Sequence, residues 1–273
     1  MTTWYHLVEA EAREAGANMA IDQYLLEALE QGRIDRPILR IYAWAKPTLS
    51  LGYHQEWRRT VNEEQLEKHG VVLVRRWTGG RAVLHDTDEI TYSLIAPMRE
   101  PFNNQVSHNY CAIGRALKRF TDLGESASGA MFPEEPAPAK VRSMRHTPCF
   151  ASMSRSEIER GGKKMIGSAQ KRGKGAFLQH GSIPLHARTE ILAAITGSNL
   201  DMGELMTSLS NHYRDAGLAL PERSALVQRL VDAFAAGFGI DFEPLPGEDP
   251  GNAARVAEIR RDSFDNDTWT RRK

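Results

Sequence analysis

Apolar residues recur at helical spacing in three parts of the chain. Ala17, Ile21, Tyr24, Leu25, Ala28 and Leu29 predict an amphipathic helix from about Gly16 to Glu30. Val106, Tyr110, Ile113, Leu117 and Phe120 form a second stripe through QVSHNYCAIGRALKRF, with Cys111 off it, and a third helix is expected around Leu226, Leu230, Ala233 and Phe234. Between the first two, ILRIYAW (38–44), VVLVRRW (71–77) and ITYSLIA (90–96) combine β-branched and aromatic residues with turn chemistry between them. They read as core strands of one sheet, and FLQHGSI (177–183) reads as a further strand and turn. Pro133, Pro136, Pro138 and Pro148 punctuate a polar, Ala-rich stretch, expected to be a long surface loop ending at Cys149. EPLPGEDPG then reads as a linker before a charged helix near Ala253 to Phe264, so a main domain is placed at 1–245 and a linker with a helical tail at 246–273. Helical and strand patterns alternate without an internal repeat.

Composition narrows the function classes. In 273 residues, 35 Lys and Arg balance 35 Asp and Glu, so a whole-chain attraction to nucleic acid has no electrostatic basis. A hydrophobic share of 41% with 26% charged residues suits a folded core and excludes a mainly disordered chain. The start, MTTWYHLVEAEAREA, meets Glu9 and Glu11 before any long apolar run, and no stretch reaches membrane-spanning length. Two cysteines, Cys111 and Cys149, are too few for a disulfide framework and show no metal-binding pair. The expectation is a cytoplasmic protein with free thiols, no metal and no membrane partner.

Candidate chemistry begins at Arg75 to Asp86. Gly79 and Gly80 directly after a strand let backbone N–H groups approach a ligand, and Arg76 and Arg81 offer charge-assisted donors, although the same pair suits an ordinary hairpin turn. No GxGxxG or P-loop pattern occurs. Cys149 and Lys164 stand fifteen positions apart, so only tertiary structure can join them. Joined, the ammonium would lower the thiol pKa and produce a nucleophile; apart, they are a small apolar residue and a solvated lysine. His85 and His180 are each a candidate base or a hydrogen-bonded structural residue. From Lys140 to Lys174 ten basic residues face two acidic ones, a local excess suited to steering an acidic partner.

The order NMAIDQYLLE, PTLSLGYHQ, RRWTGGRAVLHD, EITYSLIAP, KKMIGSAQKR, LQHGSIPL resembles the catalytic domain shared by lipoate ligases, biotin ligases and octanoyltransferases. Within that superfamily the chain is most similar to the LipM-type octanoyltransferases. It carries GGR where typical ligases carry GGG, Cys149-Phe150 ahead of GKKMIGSAQ, and a helical tail with Trp269. The resemblance implies an α/β (α+β) fold: a biotin/lipoate ligase-type sheet sandwich flanked by helices, with a small C-terminal helical extension. It implies transfer of octanoyl from acyl carrier protein to a lysine of a lipoyl-domain protein, such as the glycine cleavage H protein or a 2-oxoacid dehydrogenase E2 component, in lipoate biosynthesis without a cofactor. By position, Cys149 matches the acyl-accepting nucleophile and Lys164 the lysine that activates it. Arg76, Gly79, Gly80, Arg81, His85, Gly167, Ser168 and His180 match the substrate pocket. An ATP-dependent lipoate ligase and a non-catalytic module that binds acylated carriers are the competing readings.

Overall fold

The computed structural model describes residues 2–124, 130–131, 158–247 and 250–272. In chain order the elements are β1 (Thr2–Val8), α1 (Ala15–Glu30), β2 (Ile38–Tyr42), β3 (Thr48–Leu51), α2 (Trp57–Thr60), α3 (Glu63–Lys68), β4 (Val72–Arg75), β5 (Val83–His85), β6 (Ile90–Pro97) and α4 (Val106–Thr121). There follow β7 (Ala130–Met131), β8 (Ile158–Arg160), β9 (Lys163–Arg172), β10 (Ala176–Ile183), α5 (Thr189–Thr196), α6 (Met202–Leu205), α7 (Leu209–Asp215), α8 (Arg223–Phe238), β11 (Ile240–Pro244) and α9 (Pro250–Ile259). A π-helical turn (Arg260–Phe264) and α10 (Asp267–Thr270) complete the described chain.

Eight strands form one mixed sheet in the order β11-β1-β2-β6-β10-β9-β8-β7, and three form a smaller sheet, β4-β3-β5. β11, β1 and β2 run parallel, whereas β6, β10 and β9 join antiparallel. Strand pleating sends alternate residues to opposite faces. Leu39, Ile41, Leu94 and Phe177 therefore enter one core with α4 and α8, while Ile38, Tyr42, Ile95 and Leu178 enter another beneath α1. All five residues of β2 and all eight of β10 are buried, because both faces of the sheet are covered.

The first two predicted helices appear almost at their expected limits, as α1 and α4. Val106 departs from its predicted stripe: it opens α4 and is 39% exposed, while Ile113, Leu117 and Phe120 carry the buried face. Cys111 is exposed, as its off-stripe position implied. A larger correction concerns the strands. ILRIYAW and ITYSLIA do pair, as β2 and β6, but VVLVRRW supplies β4, which lies beside β3 in the smaller sheet. Local composition favours a strand without specifying its neighbour.

The segment after the linker lies on the domain. Ile259 and Phe264 are buried in the core beneath α1, and the indole of Trp269 meets the rings of Phe264 and Tyr53. Among the described residues no helix is long and apolar enough to cross a membrane.

Candidate active site

A pocket of about 360 Å³, counting its open mouth, lies where the smaller sheet meets β9 and β10. Trp44, Ser50, Arg76 and His85 line one side; Gly167 to Ala169 of β9 and His180 to Ser182 of β10 line the other. Five expected residues thus come together at its wall: Arg76, His85, Gly167, Ser168 and His180.

β9 and β10 pair so that Ser168 lies opposite Gly181, with Tyr92 of β6 on the far side. A Cβ on Gly181 would stand 2.5 Å from Tyr92 Cε1 and 2.7 Å from Ser168 Oγ. Glycine there leaves room for the Tyr92–Ser168 hydroxyl bond of 2.8 Å, and burial pushes the Tyr92 phenol up to about 12. Tyr110 of α4 donates to the Ser168 carbonyl at 3.2 Å.

Arg76 braces the GGR turn. Its guanidinium donates to the carbonyls of Ser50 at 2.8 Å, Gly79 at 2.8 Å and Arg81 at 2.7 Å, and to Thr78 Oγ1 at 3.0 Å. Gly80 has φ +87°, the left-handed region that favours glycine. Gly79, Gly80 and Arg81 stand beside the pocket as this turn, which rests directly on Gly52: a Cβ on Gly52 would lie 1.9 Å from the Gly80 carbonyl oxygen.

Beneath the wall lie two chains of the form carboxylate, imidazole, hydroxyl. In the first, His180 Nδ1 meets Asp22 Oδ2 at 3.1 Å and Nε2 meets Thr78 Oγ1 at 2.7 Å. Burial outweighs Asp22 and holds the His180 pKa below the ordinary histidine value, so the ring is neutral at neutral pH. Nδ1 then donates to the carboxylate and Nε2 accepts from Thr78. Asp22 is anchored by fully buried Arg40 at 2.7 Å and accepts from Ser93 Oγ at 2.7 Å. Burial would raise its carboxyl, but Arg40 and the His180 and Ser93 donors win and hold it below the usual carboxylate range. Arg40 also meets Glu9 and the Asn18 side chain, so its charge is fully paired.

In the second chain His85 Nδ1 meets Glu89 Oε1 at 2.6 Å and Nε2 meets Ser50 Oγ at 2.8 Å, with the ring stacked on Trp44 at 4.1 Å. Glu89 also accepts from Ser182 Oγ at 2.8 Å.

Lys164 lies on β9 three residues before Gly167 and is wholly buried; its carbonyl accepts the Thr207 N–H at 2.9 Å. Cys149 and the proline-rich stretch before it lie outside the described residues. Among the described residues no three His, Cys, Asp or Glu side chains converge as a metal site.

Asp22, Asn18, Arg40, Glu89, Ser50 and Thr78 escaped the residue-by-residue reading. A signal existed for three of them. Asn18 and Asp22 stand four apart on α1, hence on one helix face, and Arg40 interrupts an otherwise apolar strand that has to be buried.

Residues 14–238 match the family model described as the lipoyl protein ligase A/B catalytic domain. Over the whole of both chains the protein is 35% identical to an octanoyltransferase LipM of Halalkalibacterium halodurans and 34% identical to one of Brevibacillus brevis. Its fold is similar to a lipoate-protein ligase A solved with bound ATP, at TM-score 0.79 and 20% identity, covering 99% of each chain. It is also similar to a putative lipoate protein ligase of T. acidophilum solved with lipoic acid, at TM-score 0.77 and 20% identity, covering 99% of this chain and 100% of that one. The α/β architecture expected from the motifs is therefore the fold of these ligases. The chain belongs to the lipoyl protein ligase A/B catalytic-domain family and, within it, to the group whose members are named octanoyltransferase LipM.

Proposed function

We propose that the protein transfers an octanoyl group from acyl carrier protein to a lysine of a lipoyl-domain protein, in the cytoplasm, through a thioester on Cys149. The observation that carries this reading is the full-length likeness to relatives named octanoyltransferase. The wholly buried Lys164, on the strand that walls the pocket, supports the choice of nucleophile partner. In the first half-reaction the Cys149 thiolate attacks the carrier thioester, its C–S bond forms, and the phosphopantetheine thiolate leaves with the electron pair of the broken bond. Backbone N–H groups hold the oxyanion of the tetrahedral adduct. In the second the acceptor lysine nitrogen displaces Cys149 sulfur and forms the amide. Activation is inherited from the donor thioester, so no nucleotide is required.

The catalytic unit is residues 1–245, with 246–273 as linker and helical tail. An acyl carrier and a lipoyl domain are both macromolecular substrates, and a cation beside the pocket suits the former. Lys171 of β9, one step along the same strand face from Ala169 at the pocket, sets its ammonium 5.5 Å from the Tyr53 ring and 5.7 Å from the Trp77 ring. The test is transfer by the purified protein. Octanoyl carrier protein should modify a lipoyl domain without ATP or Mg²⁺, and free octanoate or lipoate plus ATP should not. Modification only with the free acid and ATP would make the protein a ligase.

A further inference from the structure

The two imidazole chains beneath the pocket differ in where they end. Both end hydroxyls accept from Arg76, Thr78 from Nε at 3.0 Å and Ser50 from Nη1 at 3.2 Å, but Thr78, at the end of the Asp22–His180 chain, is not one of the residues lining the pocket. Ser50, at the end of the Glu89–His85 chain, is itself part of the pocket wall, as is His85. The carboxylates differ as well. Asp22 is matched by the guanidinium of Arg40, whereas Glu89, wholly buried, has His85 as its one ion-pair partner among the described residues. Arg223 acts on Glu89 only beyond ion-pair distance, and a buried carboxylate with no guanidinium in direct contact is suited to face a charge that comes and goes.

Resting on the transferase reading above, we propose that Ser50, His85 and Glu89 form a proton relay that deprotonates the acceptor lysine in the second half-reaction. The amine of a free lysine side chain is protonated at neutral pH and cannot attack until it loses a proton. Glu89 Oε1, 2.6 Å from Nδ1, fixes the ring so that Nε2 is the basic nitrogen, and Ser50 Oγ at 2.8 Å connects it to the pocket. Arg76 Nη1, 3.2 Å from the same hydroxyl, disfavours a second cation there and drives the incoming ammonium to shed its proton. The charged or titratable groups facing the relay are Glu89, Arg76 and, more distantly, Tyr42, His180 and Arg223.

Ser50 Oγ accepts one proton of the lysine ammonium while its own passes to His85 Nε2. The neutral nitrogen bonds the thioester carbon, and the C–S bond breaks with its electron pair on Cys149 sulfur. That thiolate takes a second N–H proton as the adduct collapses, leaving an amide, a thiol and an imidazolium that returns its proton to water. Ser50 touches the reacting nitrogen, while Glu89 is a positioning residue acting through His85.

The test separates the half-reactions. Wild type, Ser50→Ala and Glu89→Gln are loaded with octanoyl carrier protein, and the acyl-enzyme is then discharged either by a lipoyl domain or by hydroxylamine, which is already neutral at the assay pH. With each discharge rate normalised to the acyl-enzyme formed, the relay predicts that the ratio of lipoyl-domain to hydroxylamine discharge falls about 10²-fold from wild type in each variant. It also predicts that Ser50→Thr, which keeps the hydroxyl, restores most of the lipoyl-domain rate, and that raising the pH narrows the gap between Glu89→Gln and wild type. Equal losses with both acceptors, or lipoyl-domain discharge at the wild-type rate, would overturn the relay alone. A wild-type protein that forms no acyl-enzyme would overturn the transferase reading and the relay with it.

Discussion

Arg75 and Trp269, 194 residues apart, hold each other reciprocally: the indole N–H donates to the Arg75 carbonyl at 2.9 Å, and Arg75 Nε donates to the Trp269 carbonyl at 3.2 Å. The remaining Arg75 donors reach the carbonyls of Gly52, Gln55 and Arg272 at 2.9, 2.7 and 3.0 Å. Burial, followed by Arg272 and Arg76, pulls this guanidinium down to about 10, so it remains charged at neutral pH. The tail is thereby fastened to the strand that leads into the GGR turn. Arg272 adds to the clasp, its guanidinium lying 4.0 Å from the rings of both Tyr53 and Trp269.

Trp269→Phe keeps the ring and removes one donor, so it should cost about 0.5–1.5 kcal/mol of stability. Trp269→Ala also removes the packing against Phe264 and Tyr53 and should cost more. Denaturant unfolding of the two variants beside wild type checks the order. Equal stability of all three would mean the clasp contributes nothing.

Gly52 and Gly79 make opposite predictions although both belong to glycine-bearing turns. A methyl at Gly52 meets the Gly80 carbonyl at 1.9 Å, so Gly52→Ala must displace the GGR turn from the pocket. A displacement of this size should lower kcat/KM about 10²-fold. Nothing lies within 4 Å of a Cβ at Gly79, and Gly79→Ala should keep the wild-type Tm. Steady-state kinetics of the first and thermal unfolding of the second decide the point.

The Asp22–His180 pair predicts a pH dependence of stability. His180 in the fold is held below its ordinary value by burial, whereas in the unfolded chain it titrates near about 6.5. Its contribution is therefore complete above that value and is lost as the pH falls below it towards the depressed folded pKa. Asp22, also depressed, adds a second loss further down, below about 3.9. His212, likewise lowered by burial, acts in the same direction as His180. Tm should hold from pH 8 to 7 and decline in the range below about 6.5, with His180→Gln shallower in that first decline. A His180→Gln profile parallel to wild type would contradict the assignment.

Much of this site was readable where the residue pattern is local. Ala17 to Leu29 and Ile113 to Phe120 declare their helices because a buried stripe at 3.6-residue spacing needs no partner to be recognised. KKMIGSAQKR does not declare itself as the ten-residue strand β9, since eight of its ten residues are charged, small or polar. It is a strand because β10 offers it a complete backbone ladder, a fact of tertiary structure. TTWYHLV had the aromatic and β-branched composition of a strand, and its place between β11 and β2 depends on a segment more than 230 residues away. The same limit applies to the site. His85 and His180 stand out as single residues, but the Glu89 and Asp22 carboxylates that orient them, and the Ser50 and Thr78 hydroxyls they meet, come from different elements of the fold.

Intact-mass measurement after incubation with octanoyl carrier protein, without ATP, tests most directly whether Cys149 carries the acyl group. Wild type and Cys111→Ser, which changes an exposed thiol on α4, should each gain one octanoyl group that hydroxylamine removes and a lipoyl domain discharges; Cys149→Ala should gain none. An octanoyl adduct that persists in Cys149→Ala and disappears in Cys111→Ser would contradict the account.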